Sequence, residues 1–107
     1  MIRENDTIKN IQEKIDHWIK NHGGYWPPLA MLSAITEELG ELAREINDLE
    51  GFKPKKSKKA KGSLGEELAD LLFSIICVAN HYDIDLNSCL ERAILKYTKR
   101  DANRFIK

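Results

Sequence analysis

The chain has 107 residues, 42% apolar and 32% charged, and its seventeen basic and seventeen acidic side chains cancel to a formal net charge of zero. That length fits a single domain, here residues 1–107, with an ordinary apolar content and a somewhat high charged fraction. The zero hides a split: segment 51–62 holds six lysines and no acid, so the acids outnumber the bases elsewhere. An acidic body suits cation binding and argues against a stable nucleic-acid partner. Cys77 and Cys89 both fall in apolar helical patterns and read as reduced core residues. The longest apolar run, Leu71–Ala79, is too short to cross a bilayer, and the first residues lack a signal-peptide core. A cytoplasmic protein with no membrane partner is expected.

Ile8, Ile11, Ile15, Trp18 and Ile19 recur at helical spacing behind Asp6 or Thr7 as N-cap, which predicts a first helix over about residues 7–21. Its opposite face, with Lys9, Gln12, Glu13, Asp16 and Lys20, reads as wet surface. In His22-Gly-Gly-Tyr-Trp-Pro-Pro28 two glycines end that helix and the prolines suit the first turn of the next. Tyr25 and Trp26 either plug the end of a bundle or offer a platform for a stacked base.

A second helix is predicted from about Leu29 to Leu49, with Leu29, Leu32, Ile35, Leu39, Leu42, Ile46 and Leu49 facing the core. Glu37, Glu38 and Glu41 lie within about a 100° arc of it, Glu45 and Asp48 continue the stripe, and Arg44 only borders it. Such a row repels itself unless it is solvated or holds a cation. The lysine-rich segment 51–62 follows, either a solubilising linker or a flap over a polyanionic ligand.

Ser63-Leu-Gly-Glu66 matches a capping box and opens the predicted third helix, leaving Glu67 free. From Leu68 to Asn80, Asp70 is the only charge, so the helix reads as buried and its lone carboxylate as needing a partner: an unpaired one costs several kcal/mol, roughly. Glu67, Asp70, Ser74, Cys77 and His81 share one stripe. Two i, i+3 acid pairs, Glu38/Glu41 and Glu67/Asp70, thus point to a shared divalent-metal site, against a solvated face and a satisfied core aspartate. A helix apolar on nearly every side also predicts self-association. Asp85 caps a fourth helix marked by Leu86, Cys89, Leu90, Ala93, Ile94 and Tyr97, in which Lys96 and Arg100 either answer the helix dipole or grip phosphate together. With no strand pattern, repeat or glycine-rich phosphate loop, the fold class is all-α.

Glu37-Glu-x-x-Glu41, Glu67-x-x-Asp70 within Gly65-Glu-Glu-Leu-Ala-Asp-Leu-Leu-Phe73, and Lys96-Tyr-x-x-Arg100 together resemble the MazG-like branch of the all-α nucleoside triphosphate pyrophosphohydrolases, over roughly residues 25–104. The resemblance implies a four-helix-type bundle completed by oligomerisation as a homodimer or homotetramer. It implies hydrolysis of an NTP or dNTP to monophosphate and pyrophosphate, dependent on Mg²⁺ with Mn²⁺ as a substitute, in a house-cleaning or nucleotide-pool role. Glu38, Glu41, Glu67 and Asp70 would be metal ligands and Trp26, Lys96, Tyr97 and Arg100 the substrate contacts. Glu37, beside those ligands, is the candidate to receive the proton of the attacking water or to serve as a fifth ligand, with Glu41 as the other catalytic residue. Many relatives carry asparagine where this chain has Cys77, so base preference does not carry over. The alternatives are a phosphoribosyl-ATP pyrophosphohydrolase and a non-catalytic helical scaffold. The chemistry is coherent, because magnesium prefers carboxylate oxygens while leaving room for water and phosphate.

Overall fold

A computed structural model describes residues 1–51 and 60–102, with side chains from residue 63 onward in the second stretch. Four helices follow in order: α1 (Ile8–Lys20), α2 (Pro28–Leu49), α3 (Ala60–His81) and α4 (Leu86–Asp101). Among the described residues no strand occurs, and no helix is long and apolar enough to cross a membrane.

The caps explain most of the boundaries. Thr7, not Asp6, caps α1: its hydroxyl accepts from the Asn10 amide while the Asn10 side chain accepts from Thr7, a reciprocal box. Gly23 and Gly24 follow at φ 104° and 86°, and the Gly24 amide returns to the Ile19 carbonyl at 2.9 Å. That left-handed path turns the chain away from α1, and a side chain would strain it. Pro28 begins α2, where a missing amide costs nothing. Asp85 caps α4 by accepting from the Asn87 and Ser88 amides. One expected cap is absent: α3 begins at Ala60, so Ser63 lies inside the helix and opens no capping box. The stretch before it, Lys-Lys-Ala-Lys, contains good helix formers and lets the helix start earlier. The basic segment read as a linker or flap lies, in residues 52–59, outside the described residues, and residues 60–62 already belong to α3.

The two 22-residue helices α2 and α3 form the main packing unit, and α1 leans on α3 and carries α4. They run antiparallel: Met31 and Cys77 share one cavity, whereas Glu38 meets Glu67 further along. Of the described apolar residues only Met31, Ile76, Cys77 and Ala79 are fully buried. This corrects the expected face of α2. Leu29, Leu32, Leu39, Ile46 and Leu49 are exposed, Leu29 at 79%, because the face turned toward α3 is the one bearing Met31, Glu38, Glu41 and Glu45. Leu68, Leu72 and Ile75 of α3 and Leu90, Ile94 and Tyr97 of α4 are likewise exposed.

A buried polar knot fixes α1 to the α3–α4 connection. Gln12, placed by its sequence pattern on a wet face, is in fact buried at 6%. Its Nε2 donates to Asn80 Oδ1 at 3.0 Å and to the Ile84 carbonyl at 2.8 Å. Its Oε1 accepts from the Leu86 amide at 2.9 Å, and Asn80 Nδ2 donates to the Gln12 carbonyl at 3.0 Å. The knot satisfies the groups exposed where α3 stops and α4 starts, beside Asp83 in its left-handed conformation at φ 58°. Replacing Gln12 with Ala strands several of these groups, and we expect urea unfolding to show a loss of about 2–4 kcal/mol. A loss under about 0.5 kcal/mol would show that the knot is merely decorative.

Candidate metal centre

Glu38 comes from the middle of α2 and Glu67 and Asp70 from the facing part of α3, and one carboxylate oxygen of each lies within 4.8 Å of the others. The i, i+3 spacing of Glu67 and Asp70 places both on the side of α3 that meets α2. Glu38 Oε2 and Glu67 Oε2 are buried and accept no hydrogen bond. Burial pushes the Glu67 carboxyl above the usual range, and the adjacent Glu38 carboxyl and the charges of Glu41 and Asp70 push it further. Three converging carboxylates with stranded oxygens fit a hard cation, which would satisfy the oxygens and relieve the repulsion together.

The other sequence candidates take different places. Asp70 is exposed in this chain, so the cost expected from burying it falls on Glu38 and Glu67 instead. Glu41 lies outside the converging trio but acts on Glu67, and Arg44 approaches it at 3.8 Å in an open, weak ion pair. Glu37 is exposed, with no part in the convergence. Lys96 Nζ and Arg100 Cζ each sit 4.7 Å from the Tyr97 ring centre, and Arg100 pairs with Asp101 at 3.0 Å. These cations ride on α4, which packs on α1 and has no substantial contact with the α2–α3 pair among the described residues.

Beside the acids opens a cavity of about 410 Å³ whose lining includes Trp18, Trp26, Phe73, Ser74, Cys77 and Glu38 itself. Trp26 stands at its edge, 64% exposed. Tyr25 is held by donating its hydroxyl to Asp16 Oδ1 at 2.5 Å, which holds the Asp16 carboxyl low. Burial pushes the Cys77 thiol up, so it stays protonated and adds no charge to the cavity. Trp18 belongs to this wall although its spacing assigned it to the α1 core stripe. The available signal was the i, i+4 relation of Trp18 and His22, which puts both rings on one face.

A model of the MazG nucleotide pyrophosphohydrolase domain matches residues 27–105. The chain belongs to this family. It is 45% identical to the uncharacterised Bacillus subtilis (strain 168) protein YpjD over 100 residues, 92% of this chain and 90% of that one. The crystal structure of Bacillus subtilis YpjD superposes with a TM-score of 0.80 at 44% identity, covering 89% of this chain and 98% of that chain. A Bacillus-conserved MazG protein, a nucleotide pyrophosphohydrolase, superposes with a TM-score of 0.75 at 40% identity, covering 89% and 93%. The all-α four-helix architecture and a hydrolase acting on phosphoric anhydrides follow from this membership. Neither the phosphoribosyl-ATP reading nor the scaffold reading gains support.

For Glu67 the sign of the linkage is clear. A carboxyl whose folded pKa lies above its unfolded value costs stability once pH rises past the unfolded value, hence at neutral pH. Glu67→Gln should therefore raise the melting temperature in EDTA at pH 7.5 and abolish the extra stabilisation that Mg²⁺ gives the wild type. A variant that melts lower in EDTA yet keeps the Mg²⁺ shift would remove Glu67 from the centre.

Proposed function

We propose that the protein is a Mg²⁺-dependent nucleoside triphosphate pyrophosphohydrolase that converts an NTP or dNTP to the monophosphate and pyrophosphate. The observation that carries the proposal is the convergence of Glu38, Glu67 and Asp70 with two buried oxygens left unsatisfied. Those three, with Glu41 beside them, would hold the metal. Mg²⁺, with Mn²⁺ as substitute, would supply charge neutralisation and Lewis acidity at the triphosphate. Glu37, adjacent to Glu38 and open to solvent, would accept the proton of the attacking water at its carboxylate, with Glu41 as the second catalytic acid. Trp26 would cover the cavity mouth. Lys96 and Arg100, held over Tyr97, would contact phosphate oxygens.

The same proposal includes a second copy of the chain. Apolar residues on α2, α3 and α4, among them Leu29, Leu72 and Ile94, face solvent, and a second copy packing there would cover them. Because α4 packs on α1, its cations would approach the acids from the neighbouring copy. A house-cleaning or nucleotide-pool role would put the enzyme in the cytoplasm.

Pyrophosphate release from each of the common NTPs and dNTPs, with Mg²⁺ and with EDTA, tests the reaction. Asp70→Asn and Glu38→Gln should lower kcat by a hundredfold or more, about 2.7 kcal/mol in barrier, while the helical content persists. Full activity in either variant, or turnover in EDTA, would defeat the proposed centre. Light scattering at micromolar concentration should give a mass of at least twice 12.3 kDa; an active monomer would defeat the assembly.

A further inference from the structure

The cavity beside the acids is partly built by residues that precede the family-matched segment. That match starts at residue 27, whereas Trp18 and Ile19 close α1, and His22 follows it. The Trp18 and His22 rings stack at 4.0 Å with 17° between their planes. Phe73 of α3 meets the indole edge-on at 6.1 Å and 84°. His22 Nδ1 donates to the Trp18 carbonyl at 2.6 Å, which fixes the imidazole against the indole. The result is a braced aromatic wall, held from both helices, with Trp18 still 41% exposed. Trp26, by contrast, makes no ring contact among the described residues.

Glu38 belongs both to this cavity and to the acid convergence. A molecule whose anionic end meets the acids through a cation therefore extends its other end along the aromatic wall. The cavity volume, about 410 Å³, lies in the ordinary range for small-molecule sites of about 300–1,000 Å³. Its hydrogen-bonding repertoire is small. The Ser74 hydroxyl makes no hydrogen bond among the described residues, and Cys77 offers a weak thiol donor. A planar heterocycle entering here is held by its face more than by its edge.

We propose that Trp18, braced by His22 and Phe73, is the stacking surface for the nucleobase and so determines the preference of this site for base-bearing triphosphates. The inference rests on the reading of the centre as a nucleotide hydrolase. Recognition by stacking tolerates different bases and distinguishes a nucleotide from a bare polyphosphate.

The test compares nucleotides with inorganic triphosphate, which has the anhydride and no base. Trp18→Leu keeps apolar bulk and removes the π face. We expect its KM for NTPs to rise roughly tenfold or more, with inorganic triphosphate kinetics at wild-type values and kcat little changed. Trp18→Phe should recover most of the loss. A second readout needs no turnover: Trp18 and Trp26 are the two tryptophans, so Trp26→Phe leaves Trp18 as the sole tryptophan, selectively excited at the red edge of the absorption band. Its emission should be quenched by a nucleoside triphosphate with Mg²⁺ and not by inorganic triphosphate. Unchanged nucleotide KM in Trp18→Leu, equal losses on both substrates, or equal quenching by both ligands would overturn the proposal. A wild type that hydrolyses neither substrate would instead defeat the functional reading, and the fluorescence titration then decides the stacking role by itself.

Discussion

Three carboxylates held within 4.8 Å of one another are the constraint that the other features of this chain accommodate. Brought together without a counter-charge they repel, and two of their oxygens are buried without partners. An arrangement that is unfavourable on its own persists only where surrounding packing imposes it. Here the antiparallel contact of α2 and α3 imposes it, since Glu38 is fixed to one helix and Glu67 and Asp70 to the other. A cation bound only by the folded state would return that stability and so couple folding to metal binding through the same residues.

The two halves of the site rest on different elements. The acids come from α2 and α3, inside the segment that defines the family, whereas much of the aromatic wall comes from the end of α1. The Gln12–Asn80 knot and the Tyr25–Asp16 hydrogen bond tie α1 and the following connection to the acid-bearing pair. If the proposed roles hold, chemistry and base recognition would be separable, as long as the knot keeps the wall in register with Glu38.

The scarcity of buried apolar residues has the same origin. α2 turns an acidic stripe toward α3, so several of its leucines point outward. A face given over to converging carboxylates cannot also be a hydrophobic core, and the missing burial must be made elsewhere. The solvent-facing stripes on α2, α3 and α4 are where another copy would supply it.

Four helices, the cap at Asp85, a first cap at Asp6 or Thr7, the prolines in the first turn of α2 and the two acid pairs were legible in the sequence, because all are governed by contacts a few residues apart. Helical period put Glu67 and Asp70 on one stripe, and the unusual acid row on α2 pointed to its partner. Which face of α2 turns inward was not legible: leucine and glutamate stripes compete, and only the position of α3 decides between them. Gln12 read as surface because its partners Asn80, Ile84 and Leu86 lie some seventy residues away. Asp70 read as buried because the run around it is apolar, yet exposure depends on what packs there, and in one chain nothing covers it. The sequence determined the chemistry available to this protein; only the tertiary structure decided that Trp18 stands beside Glu38, because no local rule connects α1 to the acids.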